Sequence, residues 1–304
     1  MLFLGELNMA EKLISGFTFI KNGLTLGYPI KESIESIEPL CDEIVINVGY
    51  DDPNMEKDDG TWEYLTSYFS HPKFKFLKSV WDPKVTSQGL ILSQQTNIAL
   101  EQCEGKYCQY IQGDEVVHED DLKSIHNSVM EMEKDELIDG LVFDYIHFYG
   151  NVDIYKYTRN IYRREVRLIR NHIGIKSWLD AQGFRNKDET KLKCKRVNAK
   201  ILHYGWARKE QVMKKKVQEM DKLYHGGKAV TENYVYHNMW GLKEFKDTHP
   251  ANMKEWIGKH RNDIDILKLK PQLGWNNIGL ALSDFIESVS GYRVGEYKNY
   301  KLIG

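Results

Sequence analysis

The sequence predicts an α/β protein with a mostly parallel sheet flanked by helices. Three observations carry this. Up to residue 133, short apolar runs rich in β-branched and aromatic residues alternate with amphipathic helical stretches. Turn-forming residues separate the two kinds of segment. Polar residues collect where the apolar runs end: Asn22, then Asp51 and Asp52, then Asp114 and Glu115. Strands that alternate with helices join through right-handed crossovers, and both faces of the sheet are covered. Such sheets gather ligands at the carboxyl ends of their strands.

The first strand spans Ile14 to Ile20 and ends at the turn pair Asn22-Gly23. Pro29 suits the first turn of a helix whose stripe is Ile30, Ile34, Ile37 and Leu40. Glu43 to Val48 reads as a buried second strand. The loop from Gly49 to Gly60 holds Asp51, Asp52, Asp58, Asp59 and Glu56, and a short helix follows from Thr61 to Phe69. Phe74 to Val80 is a third strand. Gln88 to Gln102 is helical until Gly105 stops it, and Tyr107 to Ile111 is a fourth strand. Leu122, Ile125, Val129 and Met132 then mark one face of a helix. The second half is less regular, with strands at Leu141 to Phe148, Arg167 to Arg170 and Lys200 to Tyr204. From Arg208 onward a mostly helical, basic pattern takes over, in which Met213, Val217 and Met220 share a face.

Composition narrows the function. The 304 residues carry 42 Lys plus Arg against 44 Asp plus Glu, a net charge of −2, so a nucleic-acid partner is not expected. With 41% hydrophobic and 12% aromatic residues the chain can build a core. No apolar run is long enough to be a transmembrane segment. Residues 1–10 lack a basic region and carry Glu6, which argues against a signal peptide. The four cysteines contain no C-x-x-C pair and read as free thiols of a cytoplasmic protein.

No G-x-G-x-x-G or G-x-x-x-x-G-K-[ST] stretch is present, and Gly226-Gly227-Lys228 lacks the rest of a phosphate loop. H-E-x-x-H and G-x-S-x-G are also absent. The acidic strand ends stand out instead. Asp114 and Glu115 suit a hard divalent cation, or, as spacing alone favours, an acidic turn before a helix near Glu119. Asp58 or Asp59 either caps the helix at Thr61 or accepts hydrogen bonds from a nucleoside.

The ordered pieces resemble the family 2 glycosyltransferases, which use a nucleotide-sugar donor on a Rossmann-like fold termed GT-A. These are Asn22, Asp51-Asp52, Asp58-Asp59-Gly60-Thr61, Thr96-Asn97-Ile98-Ala99-Leu100, and Gly105-Lys106-Tyr107 leading into Tyr110-Ile111-Gln112-Gly113-Asp114-Glu115. The match runs from residue 14 to about 121. Softer likenesses to an acceptor half lie at Arg167–Arg170, Ser177–Arg185 and His203–Arg208. Three departures are visible. Gln112 stands where the acidic motif usually has its first Asp, Thr96 replaces a common arginine, and Pro53 to Lys57 lengthen a loop.

The resemblance implies a catalytic domain over 1–207, with a nucleotide-sugar half at 14–121 and an acceptor half at 122–207. A mostly helical region, 208–304, packs on it. It implies transfer from a nucleotide-sugar donor to a hydroxyl of a glycan, a lipid-linked or another acceptor, with inversion. Asn22, Asp51, Asp52, Asp59, Asn97, Gln112 and Arg208 would bind the donor. Mn2+ or Mg2+ would sit on Asp114, Glu115 and His203 and act as a Lewis acid. Asp180 is the expected base, near a Trp178 stacking wall, with Asp144 and Asp153 as rivals. Each has a plainer reading: Asp180 as a turn residue, His203 as a structural histidine, Arg208 as a solvated helix start, Trp206 as core. The basic helix after Arg208 is a solvated face or a peripheral contact with anionic lipid at a membrane surface. Two other functions are a non-catalytic nucleotide-sugar-binding scaffold and a sugar-nucleotide pyrophosphorylase.

Overall fold

The computed structural model describes residues 11–272 and 274–303; the signal-peptide reading rests on residues 1–10, outside that range. The first half runs β1 (Ile14–Ile20), α1 (Ile30–Ile37), β2 (Glu43–Tyr50), α2 (Thr61–Tyr68), β3 (Phe74–Val80), α3 (Leu90–Leu100), β4 (Tyr107–Tyr110), β5 (Glu115–Val117) and α4 (Leu122–Met132). Four of these strands pair in the order β3-β2-β1-β4, all parallel. Helix α1 buries Ile30, Ile34 and Ile37 in one core cluster with Ile14, Ile44 and Ile46, as the stripe predicts. β2, interior to the sheet, is buried at every position. β3 has the outer place and keeps Lys75 and Lys78 along it, a charged edge that resists pairing with another chain.

The second half continues with β6 (Gly140–Tyr149), β7 (Asn151–Lys156), β8 (Arg164–Arg170), β9 (Lys176–Trp178), β10 (Gly183–Arg185), β11 (Lys193–Trp206), α5 (Glu210–Tyr224), β12 (Leu242–Glu244), α6 (Lys254–His260), α7 (Trp275–Ser290) and β13 (Lys301–Leu302). β8 inserts antiparallel between β4 and β6. β11 runs parallel to β6 along most of its length and antiparallel to β5. The result is an α/β sheet flanked by helices, parallel in its first half and extended by antiparallel strands in its second.

The segment expected as Lys200–Tyr204 belongs to a strand of 14 residues. Glu115–Val117, expected as a turn into a helix, is a strand because β11 supplies its hydrogen-bonding partner. The helical turn near Glu119 does form, as a short 3-10 segment at Glu119–Asp121. All four cysteines are free and buried. Among the described residues no helix is long and apolar enough to cross a membrane.

Candidate active site

A cleft of about 1330 Å³, measured out to its open mouth, lies at the carboxyl edge of the parallel strands. The end of β1 supplies Phe19 to Asn22, and the turn after β4 supplies Gln112, Gly113 and Asp114. The end of β11 supplies His203 and Trp206. One wall is α5, which presents Lys216, Glu219, Met220, Leu223 and Tyr224. Asp180, Gln182 and Tyr162 enter from the loops of the second half.

Two sheet registers build the floor. His203 pairs with Glu115 on one side and with His147 on the other. The amide of Tyr204 donates to the Asp114 carbonyl at 2.8 Å, which fixes Asp114 beside β11. Asp114 Oδ2 then lies 2.9 Å from Lys216 Nζ and 3.5 Å from His203 Nε2. Burial opposes the charge on Asp114, but the Lys216 ammonium and the His203 ring outweigh it and hold the carboxyl well below its usual range. Burial pulls Lys216 down to about 8, against the attraction of Asp114. The ammonium also donates to the Gly205 carbonyl at 2.9 Å and faces the rings of Tyr28 and Trp206.

A chain of donors runs behind His203. His147 Nε2 meets the Tyr162 carbonyl at 2.7 Å, and a carbonyl only accepts, so that nitrogen carries a proton. Burial holds His147 neutral, its pKa well below the ordinary imidazole value. Its Nδ1 therefore accepts from His203 Nδ1 at 3.0 Å. His203 Nε2 is left facing the cleft and Asp114.

Asp180 lies in the cleft half-buried, and burial raises its pKa above that of an ordinary carboxyl, which makes the carboxylate a better base. Its rivals lie elsewhere. Asp144 is held by Arg164 and Arg196, and Asp153 by Arg261. Sequence reasoning passed over Glu219, a third carboxylate lining the cleft, paired with Lys222 at 2.5 Å.

Of the expected donor-binding residues, Asn22 and Gln112 line the cleft and the others do not. Asp51 pairs with Lys21 at the surface, and Asp52 accepts from the amides of Asn54 and Glu56. Asp59 accepts from the amides of Thr25 and Thr61, which staples two loops together. Asn97 spans to the backbone of Ser177 in β9. Arg208 is fully buried, stacked on Tyr28 and bonded to the carbonyls of Leu26 and Gly205, so it is not a solvated helix start.

Trp178 does not line the cleft; its ring faces Arg185. Trp206 lines it and also packs against the core cluster of Tyr149, Met213 and Tyr236. The basic helix is not a freely solvated face either, because α5 buries Met213 and Lys216 and walls the cleft.

The expected Mn2+ or Mg2+ finds a poor donor set. Glu115 is fully buried and its two oxygens are bound by Arg167 at 2.8 and 2.9 Å, with the Tyr145 hydroxyl also donating. Gln112 brings an amide in place of a carboxylate. Asp114 Oδ2, the oxygen that His203 also faces, already holds an ammonium. Among the described residues no three His, Cys, Asp or Glu side chains are grouped to share a metal ion.

No protein-family model matches this chain, and no curated protein sequence matches it. Among solved structures it is similar to TarS 1–349 of S. aureus in complex with UDP, at 19% identity and a TM-score of 0.30, over 46% of this chain and 36% of that one. It is also similar to S. aureus TarS 1–349 without a named ligand, at 13% identity and a TM-score of 0.35, over 68% and 64%. A third is the mannosyltransferase PcManGT from Pyrobaculum calidifontis in complex with GDP-Man and Mn2+, at 14% and 0.32, over 46% and 37%. The match spans about a third of the length of the first of these, and the nucleotides and metal named belong to those proteins.

Proposed function

We propose that this protein is an inverting glycosyltransferase, moving a sugar from a nucleoside-diphosphate donor to an acceptor hydroxyl. The observation that carries the reading is a single cleft, at the carboxyl edge of the parallel strands, that holds a buried Lys216–Asp114 pair and a half-buried Asp180. The motif order of residues 14–121 supports it. Asn22, Gln112 and Gly113 line the part of the cleft nearest the first and fourth strands, where a nucleotide would lie.

The reaction breaks the bond from the anomeric carbon to the diphosphate and forms one to the acceptor oxygen. The electron pair of the broken bond goes to the diphosphate, and the acceptor's proton goes to a base on the opposite side of the sugar. Asp180 is assigned that base, and its raised pKa suits the task. Asp114 keeps the Lys216 ammonium in place, and fixed charge in a partly dry cleft stabilises a leaving anion without reorganising. The donors present do not fit a metal ion.

A thermal-shift panel tests the reading, since a ligand of the folded state at about a hundred times its Kd adds about 2.7 kcal/mol. Uridine or guanosine diphosphate should raise the melting temperature more than adenosine triphosphate. Equal shifts for every nucleotide, or none, would remove the donor site.

A further inference from the structure

We propose that Lys216 stands in for the divalent cation of this site, so that the protein binds its nucleoside-diphosphate-sugar donor, and transfers the sugar from it, without metal. The inference deepens the glycosyltransferase reading and rests on it.

A cation at such a site must sit on the acidic residue after the fourth strand and reach the diphosphate. Lys216 Nζ does the first: it lies 2.9 Å from Asp114 Oδ2 and lines the cleft. An ammonium has three protons. Asp114 takes one and the Gly205 carbonyl, also at 2.9 Å, takes a second. Among the described residues nothing accepts the third, on a side chain whose surroundings are the cleft and the faces of Tyr28 and Trp206. A divalent ion on Asp114 Oδ2, at a metal–oxygen distance of about 2.1 Å, would lie within about 5 Å of this ammonium, two cations in a buried place.

The lysine is built in. It projects from the middle of α5 between Met213, fully buried, and Met220, which faces the cleft. Its aliphatic stem is covered, leaving the residue 5% exposed. Placing an immobile positive charge at the leaving group is the work a Lewis-acid metal would otherwise do. Of the other expected ligands, Glu115 serves Arg167, and His203 faces the Asp114 oxygen that Lys216 already holds.

The test is calorimetry of uridine and guanosine diphosphate on the full chain, once in EDTA and once with excess Mn2+. The proposal expects the better of the two nucleotides to bind with affinities equal within about threefold in both buffers. Lys216→Met should lose at least about thirtyfold, with no recovery in Mn2+, as removal of one partner of a buried charged contact does. Lys216→Arg, which keeps the charge, should retain most of the binding. Binding that requires Mn2+ overturns the proposal and leaves the glycosyltransferase reading standing, as does full affinity in a folded Lys216→Met. Absence of binding in both buffers overturns the reading and the proposal together. If Lys216→Met fails to fold, the comparison of buffers on the unaltered protein decides.

Discussion

Asp114 Oδ2 and His203 Nε2 stand 3.5 Å apart, and the space beside them exists because residue 205 has no side chain. Residues 203 and 205 of β11 point to the same face, since side chains alternate along a strand. A Cβ on Gly205 would lie 2.5 Å from both atoms.

Gly205→Ala should therefore damage the site more than the fold. Forcing a methyl into a packed place costs about 1–3 kcal/mol. Spent at the cleft, this amounts to a tenfold to hundredfold loss of diphosphate affinity, at about 1.4 kcal/mol per tenfold. Calorimetry reads the loss. Unchanged affinity would separate the Asp114–His203 gap from nucleotide binding.

Glu115 and Arg167, both completely buried, should behave as a structural pair. Arg167→Met strands a buried carboxylate, and breaking such a pair costs about 3–5 kcal/mol. Urea unfolding should show that loss, and adding Glu115→Gln to the same chain should recover much of it. An Arg167→Met protein as stable as the parent would mean the pair holds nothing together.

Glu165 gives a pH signature. Burial raises its carboxyl from 4.5 to about 8, with Arg167 opposing, and among the described residues its Oε2 has no hydrogen-bonding partner. The folded state then binds a proton that the unfolded state releases, so this group's contribution is complete below about 4.5 and declines as pH rises through about 8. Glu165→Gln removes the decline. The stability of the variant relative to the parent should climb by about 1.4 kcal/mol per pH unit across that window, whatever their offset at acid pH. Parallel pH profiles would mean that Glu165 is ionised in the fold.

The first half was legible because each element is specified locally. Phe74–Val80 emerged end to end as read, and the Ile30, Ile34, Ile37 stripe is the buried face of α1. Asn22, Gln112, Asp114, His203 and Asp180 all reach one cleft, although they span more than 180 positions.

What was missed depends on long-range partners. Nothing near Glu115 in sequence announces Arg167, 52 residues away. β5 is only three residues long and exists through pairing with β11. Lys216 left a usable trace: Met213, Lys216, Met220 and Leu223 are spaced three, four and three, one helical stripe with a lysine inside it. The neighbouring Lys214 and Lys215 drew the whole run toward a solvated reading, whereas only one of the three is buried.

The most direct measurement is the rate of nucleoside-diphosphate release from a panel of nucleotide sugars offered with simple glycoside acceptors, for the parent, Asp180→Asn and Glu219→Gln. The account predicts release from at least one donor. It also predicts a fall of about 10²- to 10⁴-fold in Asp180→Asn, the share of general-base catalysis, at nearly unchanged diphosphate affinity. Glu219→Gln should lose far less. Folded protein that releases diphosphate from no donor would contradict the transferase reading, and Asp180→Asn turning over at the parental rate would contradict the assignment of the base.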